Sequence, residues 1–329
     1  MVKPNLSVTI GKLKLNNPVI AASGTFGYGE EYKDLVPLEI LGAIITKSIT
    51  LNPKKGNPPP RIIETASGML NAIGLQNEGV ENFIKEKVPY LKKLKVPVIV
   101  SIAGEKVDEY EKLARILDAE QPCSAIEVNI YCPNVKYGER LFAQDAAATF
   151  EVVSAVRKAT NLTVIAKLSP NVTDIAEIAK AAQDAGADSV SLINTITALC
   201  VDIKTRTPKL ANVTGGLSGP AVKPVALRMV YEAKKKIKIP IIGIGGIMTA
   251  DDAIEFLLCG AAAVQIGTGN FVDPKASAGI VKGIQKYLTE NKINDVNSIV
   301  GALNPALPET IHQERKSWVN PALPKRAGV

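Results

Sequence analysis

A chain of 329 residues that is 46% hydrophobic, 22% charged and 5% aromatic has an ordinary globular profile, which excludes a disordered or fibrous protein. No apolar run approaches the roughly 18 residues needed to cross a bilayer, and the start, MVKPNLSVTIGKLKLNNP, lacks a secretory signal, so a cytoplasmic protein with no membrane attachment is expected. The net charge of +7 includes the clusters KKLK (Lys92 to Lys95) and KKKIK (Lys234 to Lys238), which read as helix C-termini rather than a nucleic-acid surface because no aromatics are interleaved, and the excess suits an anionic ligand or an acidic partner.

In chain order, short apolar runs recur at Pro18 to Ala22, Gly42 to Thr46, Pro97 to Ile102, Ala125 to Ile130, Thr163 to Leu168, Ser189 to Asn194, Pro240 to Gly245 and Ala262 to Gly267. Near-continuous runs rich in β-branched residues predict strands buried on both faces, as a parallel sheet requires. The segments between them carry helical periodicity, as in VDEYEKLARILDA and DIAEIAKAAQDAG, the second closing with Gly186 at a C-cap. Eight such units predict an α/β fold, a (β/α)8 TIM barrel, with long loops after strands 2, 4 and 6 over its C-terminal face. The barrel is expected to span 1–303 as one domain. The Pro-rich tail, 304–329, repeats NPALP without apolar periodicity and reads as a loosely attached appendage.

Barrel chemistry sits at the C-terminal ends of the strands, and those ends are polar here: Ser23, Lys47, Ser48, Ser101, Asn129, Cys132, Lys167, Asn194, Thr195, Gly245, Gly246, Gly267 and Thr268. One polar strand end is usually a turn residue or a helix cap, but two lysines there need an anionic or polar partner. The glycines of GIGGI and QIGTGN follow strands seven and eight, where barrels commonly hold phosphate through bare backbone N–H groups. The four cysteines, Cys123, Cys132, Cys200 and Cys259, show no metal-ligand spacing and no disulfide pattern. The single histidine, His312, lies in the tail, so proton transfer in the barrel needs another group. Cys132 enters a loop at the functional face, followed by Pro133 and Asn134, whereas the other three cysteines read as packing residues.

The segments ASGTFGYGEEY, GMLNAIGLQNEGV, NIYCPNVKYG, LINT, LANVTGGLSGPAVKPVALRMVY, GIGGI and IGTGNF, in this order, closely resemble the class 1 dihydroorotate dehydrogenases, and favour the catalytic subunit of the NAD-linked class 1B form. The resemblance runs from about Leu6 to Leu303. It implies FMN at the barrel mouth and oxidation of (S)-dihydroorotate to orotate in pyrimidine synthesis. It places FMN against Ser23, Lys47, Ser48, Ser101, Asn129, Lys167, Ile193, Gly219, Gly245, Gly246, Gly267 and Thr268. The substrate falls against Lys47, Asn71, Ala72, Ile73, Gly74, Leu75, Asn129, Asn194 and Thr195, and Cys132 falls on the catalytic base. The resemblance further implies a partner subunit carrying FAD and an iron–sulfur cluster, on a homodimer core within a heterotetramer.

Tyr131, Glu139 and Ser101 stand where the family usually has Ser, Gly and Asn, the segment Thr197 to Cys200 also differs, and the tail has no counterpart. Three alternatives stay open on the residues: a self-sufficient homodimer using fumarate, a Schiff-base aldolase using Lys47 or Lys167, and a phosphate-ligand barrel without redox activity.

Overall fold

The computed structural model describes residues 3–130, 136–137, 140–141 and 145–305. All eight predicted runs form strands: β1 (Val19–Ala21), β2 (Ala43–Ile45), β3 (Val98–Ile102), β4 (Ala125–Asn129), β5 (Thr163–Leu168), β6 (Ser189–Leu192), β7 (Ile241–Ile244) and β8 (Ala263–Ile266). They close into a parallel barrel in sequence order, with β8 beside β1 through Val264↔Val19 and β4 beside β5 through Thr163↔Ala125. Nearly every strand residue is buried, which is why the runs read as continuously apolar rather than alternating. The interior also holds a polar set, Ser101, Glu127, Lys167, Ser191 and Gln265, concentrated toward the C-terminal half.

Helices α1 (Val107–Glu120), α2 (Ala146–Ala159), α3 (Ile175–Asp184), α4 (Lys223–Lys236) and α5 (Ala250–Leu258) follow strands β3 to β7, and α6 (Ala276–Glu290) follows β8. Their starts are fixed locally. Asp145 Oδ1 accepts from the N–H of Ala148, Asp174 Oδ1 from that of Ala176, and Thr249 and Asp252 form a reciprocal capping box on α5. Helix α4 ends in Lys234, Lys235 and Lys236, where cations favour the exposed carbonyls. Gly186, at φ 93°, follows the end of α3 in the left-handed conformation expected of a C-cap glycine. The first connection departs from the regular pattern: β1 and β2 are joined through two short 3₁₀ turns, Glu30–Tyr32 and Leu38–Ile40.

The lower end of the barrel is closed by a hairpin, Val8–Ile10 with Leu13–Leu15, which buries Val8, Ile10, Leu13 and Leu15 and donates the N–H of Lys12 to Thr163 Oγ1 at the start of β5. Past α6 the chain stays bonded to the barrel: Val296 donates to Asn5, Gly301 to Leu257 and Leu303 to Leu258. The tail from 306 lies outside the described residues.

The long connections after β2 and β6 are not independent loops. Strands Ile62–Thr65 and Gly68–Asn71 from the first pair with Thr214–Ser218 and Ile196–Leu199 from the second in one four-stranded antiparallel sheet. A small core of Leu70, Ala72 and Leu210 holds it together, and it stands over the upper end of the barrel.

Candidate functional site

Between the upper strand ends and this sheet lies a cavity of about 820 Å³, toward the top of the roughly 300–1,000 Å³ range of small-molecule sites. Its wall includes eighteen of the residues assigned from the sequence: Ser23, Lys47, Ser48, Asn129, Lys167, Ile193, Gly219, Gly245, Gly246, Gly267 and Thr268, with Asn71, Ala72, Ile73, Gly74, Leu75, Asn194 and Thr195. Ser101 is not among them. It is fully buried behind the wall, where its hydroxyl shares a 2.8 Å hydrogen bond with Ser48 Oγ, so it positions a wall residue instead of reaching into the cavity. Cys132 lies outside the described residues, as do Tyr131 and Glu139. The strand that leads to Cys132, β4, ends on the wall at Asn129.

The amide side chains at the site are held by each other and by the barrel. Asn194 Nδ2 donates to Asn129 Oδ1 at 3.2 Å, Asn129 Nδ2 reaches Ser48 Oγ at 3.4 Å, and Tyr110 Oη anchors the Asn129 carbonyl at 3.0 Å. Asn71 comes from the covering sheet, its Nδ2 donating to the Gly216 carbonyl at 3.3 Å. Each Asn presents both a donor and an acceptor, which suits a ring bearing imide and amide groups. The Asn71 to Leu75 stretch is fixed by tight backbone geometry: a Cβ on Gly74 would lie 2.7 Å from the Asn57 nitrogen, and Leu75 takes φ 55° with its carbonyl held by Asn77 Nδ2 at 2.8 Å. A non-glycine residue in that region costs about 1–2 kcal/mol, so the surrounding bonds must enforce it.

Lys47 is half-buried on the wall, and its ammonium has no hydrogen-bond or ion-pair partner among the described residues. Burial lowers its pKa, the Arg61 guanidinium lowers it further, and Glu31 and Glu78 act the other way. Arg61, Lys54 and Lys55 also line the cavity, giving it a cationic rim. Tyr28 shares the wall, its phenol pushed up to about 12 by burial and by Glu78 and Glu31, so it is a donor at any ordinary pH.

The second lysine is handled differently. Lys167 is buried and pairs with the fully buried Glu127 at 3.3 Å, while Ser191 Oγ and Gln265 Nε2 donate to the other carboxylate oxygen at 2.9 and 2.7 Å. Lys167 and Gln265 both line the cavity floor, and Gln265 Oε1 is buried with no partner among the described residues.

Two observations bear on what the cavity could hold. The unpaired Gln265 Oε1 calls for a donor, such as a ring N–H of a bound heterocycle. At Gly267 the backbone needs no special conformation, and an added Cβ would find its nearest neighbours, Ala22 Cβ and Thr25 Cγ2, at 3.8 and 3.9 Å. Neither strain nor packing therefore demands glycine there; what the missing side chain preserves is open space beside Thr268. At Gly246 the reason is different, since φ is +74° and a Cβ would lie 2.7 Å from Lys223 Cβ. Bare backbone around Gly245, Gly246, Gly267 and Thr268 fits a phosphate group, and the cavity fits a phosphate-bearing heterocyclic cofactor.

The family model for dihydroorotate dehydrogenase matches residues 5–288. The chain belongs to the dihydroorotate dehydrogenase family. It is 56% identical to a protein of Geotalea uraniireducens, 57% to one of Geobacter sulfurreducens and 58% to one of Geobacter metallireducens, over 303 residues in each case. These matches cover 92% of this chain and 99% of theirs, and all three bear the name dihydroorotate dehydrogenase B (NAD(+)), catalytic subunit. The family resemblance had already singled out eighteen of the wall residues. It missed Arg61, Tyr28, the floor residue Gln265, and Glu127 and Ser191 buried behind the floor. A buried Glu and Gln inside apolar runs, EVNI and VQIG, are the signal that could have found the floor.

Proposed function

We propose that this chain is the catalytic subunit of an NAD-linked dihydroorotate dehydrogenase, a cytoplasmic enzyme that oxidises (S)-dihydroorotate to orotate in de novo pyrimidine synthesis. The observation that carries the reading is the meeting of a lysine with no partner among the described residues, three asparagines and a glycine-lined recess on one cavity, in a chain of this family. Bound FMN would supply the acceptor for the hydride leaving C6 of the substrate. FMN would be held by Ser23, Ser48, Lys167, Ile193, Gly219, Gly245, Gly246, Gly267 and Thr268, with Lys47 and Asn129 shared between cofactor and substrate.

Lys47 pairs with the substrate carboxylate, a contact its lack of another partner leaves open. Asn71, Asn129 and Asn194 orient the ring through its imide and amide edges, and the sheet formed by the two long connections keeps water off the reacting carbons. Cys132 takes the proton from C5, which requires its thiolate. Lys167 holds a positive end toward the cofactor, where negative charge accumulates on reduction. A partner subunit bearing FAD and an iron–sulfur cluster, docked on a homodimer of this chain, would supply the path from FMN to NAD.

A purified chain should be yellow, and its visible absorbance should bleach on adding dihydroorotate without air. Replacing Cys132 by Ala should keep the colour but remove most turnover at neutral pH, whereas Cys259→Ala should be near silent; equal activity in both removes Cys132 as the base. Turnover with NAD only when the partner subunit is added, and none with fumarate, separates this reading from a self-sufficient enzyme.

A further inference from the structure

The strand β4 Glu127 is the most deeply buried ionised group of the site, and three strands converge on it: Lys167 from β5, Ser191 from β6 and Gln265 from β8. A buried ion pair is a poor stabiliser compared with apolar packing of the same volume, so its presence in a barrel core needs another reason. Two of its partners, Lys167 and Gln265, form part of the cavity floor, whereas Glu127 and Ser191 do not reach it. A carboxylate only accepts hydrogen bonds, so it forces the Gln265 amide to turn its nitrogen inward, and that is why Oε1 is left unpaired. It also holds Lys167 by one of three N–H groups, and no other hydrogen bond of that ammonium is formed among the described residues. Glu127 thus decides what the floor presents: a cation at one point and an acceptor at another.

The geometry points to Glu127 as a positioning residue that clamps Lys167 and offsets its charge, keeping the two-electron midpoint potential of a flavin bound in the cavity lower than Lys167 alone would set. This rests on the flavin reading above. Reduction adds two electrons and fewer than two protons to a flavin at neutral pH, so negative charge builds up and a bare ammonium at the floor would favour the reduced form. A carboxylate 3.3 Å from that ammonium turns a monopole into a dipole, whose field falls off faster. The potential is then set by a pair rather than by one lysine.

Glu127→Gln keeps the shape, and the Gln265 amide can turn over to meet the new amide. Spectroelectrochemical titration of the flavin-loaded chain should show the reduced-to-oxidised ratio at a fixed potential rising at least ten-fold, about 30 mV for a two-electron couple. Lys167→Gln should move it at least ten-fold the other way, and the double variant should return close to wild type. A Glu127→Gln potential equal to or below wild type overturns the inference. If that variant holds no flavin, Lys167→Gln against the double variant decides: a rise on removing Glu127 supports the inference, and equal potentials overturn it. Loss of flavin or of folding in both Glu127 variants also overturns it, since the residue would then be a structural post. A wild-type chain that takes up no FMN instead refutes the flavin reading itself.

Discussion

Gly267→Ala separates binding from folding at the glycine recess. The backbone at Gly267 lies outside the left-handed region, and the new Cβ would meet protein atoms at 3.8 Å or more, so nothing in the fold resists it. Restricting the unfolded chain should even stabilise the flavin-free protein, by about 0.4–1 kcal/mol. The methyl nevertheless occupies space that a phosphate would need, and an overpacked contact costs about 1–3 kcal/mol, or roughly 5- to 150-fold in affinity for FMN. Gly246→Ala is the control. With φ at +74° and a Cβ 2.7 Å from Lys223 Cβ, 2.8 Å from its nitrogen and 2.9 Å from the Gly219 carbonyl, it carries about 1–2 kcal/mol of backbone strain plus the clash. The sum, about 2–5 kcal/mol, should appear as lost stability. Urea unfolding of the flavin-free chains and quenching of FMN fluorescence on rebinding measure the two quantities. Wild-type affinity in Gly267→Ala, or unfolding as early as in Gly246→Ala, would refute the assignment of the recess to phosphate.

Because burial and Arg61 both lower the Lys47 pKa from 10.5, its contact with a carboxylate should fail at a lower pH than for a free lysine, and KM for dihydroorotate should rise on that alkaline limb. Arg61→Met should shift the limb to higher pH, and an unmoved limb takes Lys47 out of the carboxylate contact. At Asp252, burial alone would raise the carboxyl, but its hydrogen bonds to Lys223 and to the N–H groups of Met248 and Thr249 outweigh that and hold it below 3.8. Its stabilisation is therefore complete above about pH 4 and lost as pH falls through the depressed value. Asp252→Asn should cost about 1 kcal/mol at pH 7, with the gap to wild type closing in acid, as read by urea midpoints across pH. Asp188 Oδ2 accepts from Arg157 Nη1 and from the N–H of Val164, both at 2.8 Å, tying α2 to the base of β5; Asp188→Ala should cost about 1–3 kcal/mol of stability without changing substrate KM.

The eight strands were legible because a strand buried on both faces needs no partner to declare itself: a short β-branched run between helical segments is enough. The strand ends were legible for the same reason, since polarity at the end of an apolar run is local information. Ser101 shows where that stops. It sits one position before the end of β3, and a rotation of one residue in the pleat decides whether a side chain meets the cavity or the layer behind it.

By itself, then, the sequence determined the barrel, the end of it where the cavity lies, and glycines and asparagines that line that cavity. Only the tertiary structure decided that the segments after β2 and β6, which look like two loops, pair as one sheet through contacts such as Asn71 with Gly216. It alone also decided that Lys167 is paired with Glu127 while Lys47 finds no partner among the described residues. The two lysines are alike in sequence, each closing an apolar run. What separates them is barrel closure, which brings β4, β5, β6 and β8 to one point, and pairing across a closed ring depends on distances that no local pattern encodes.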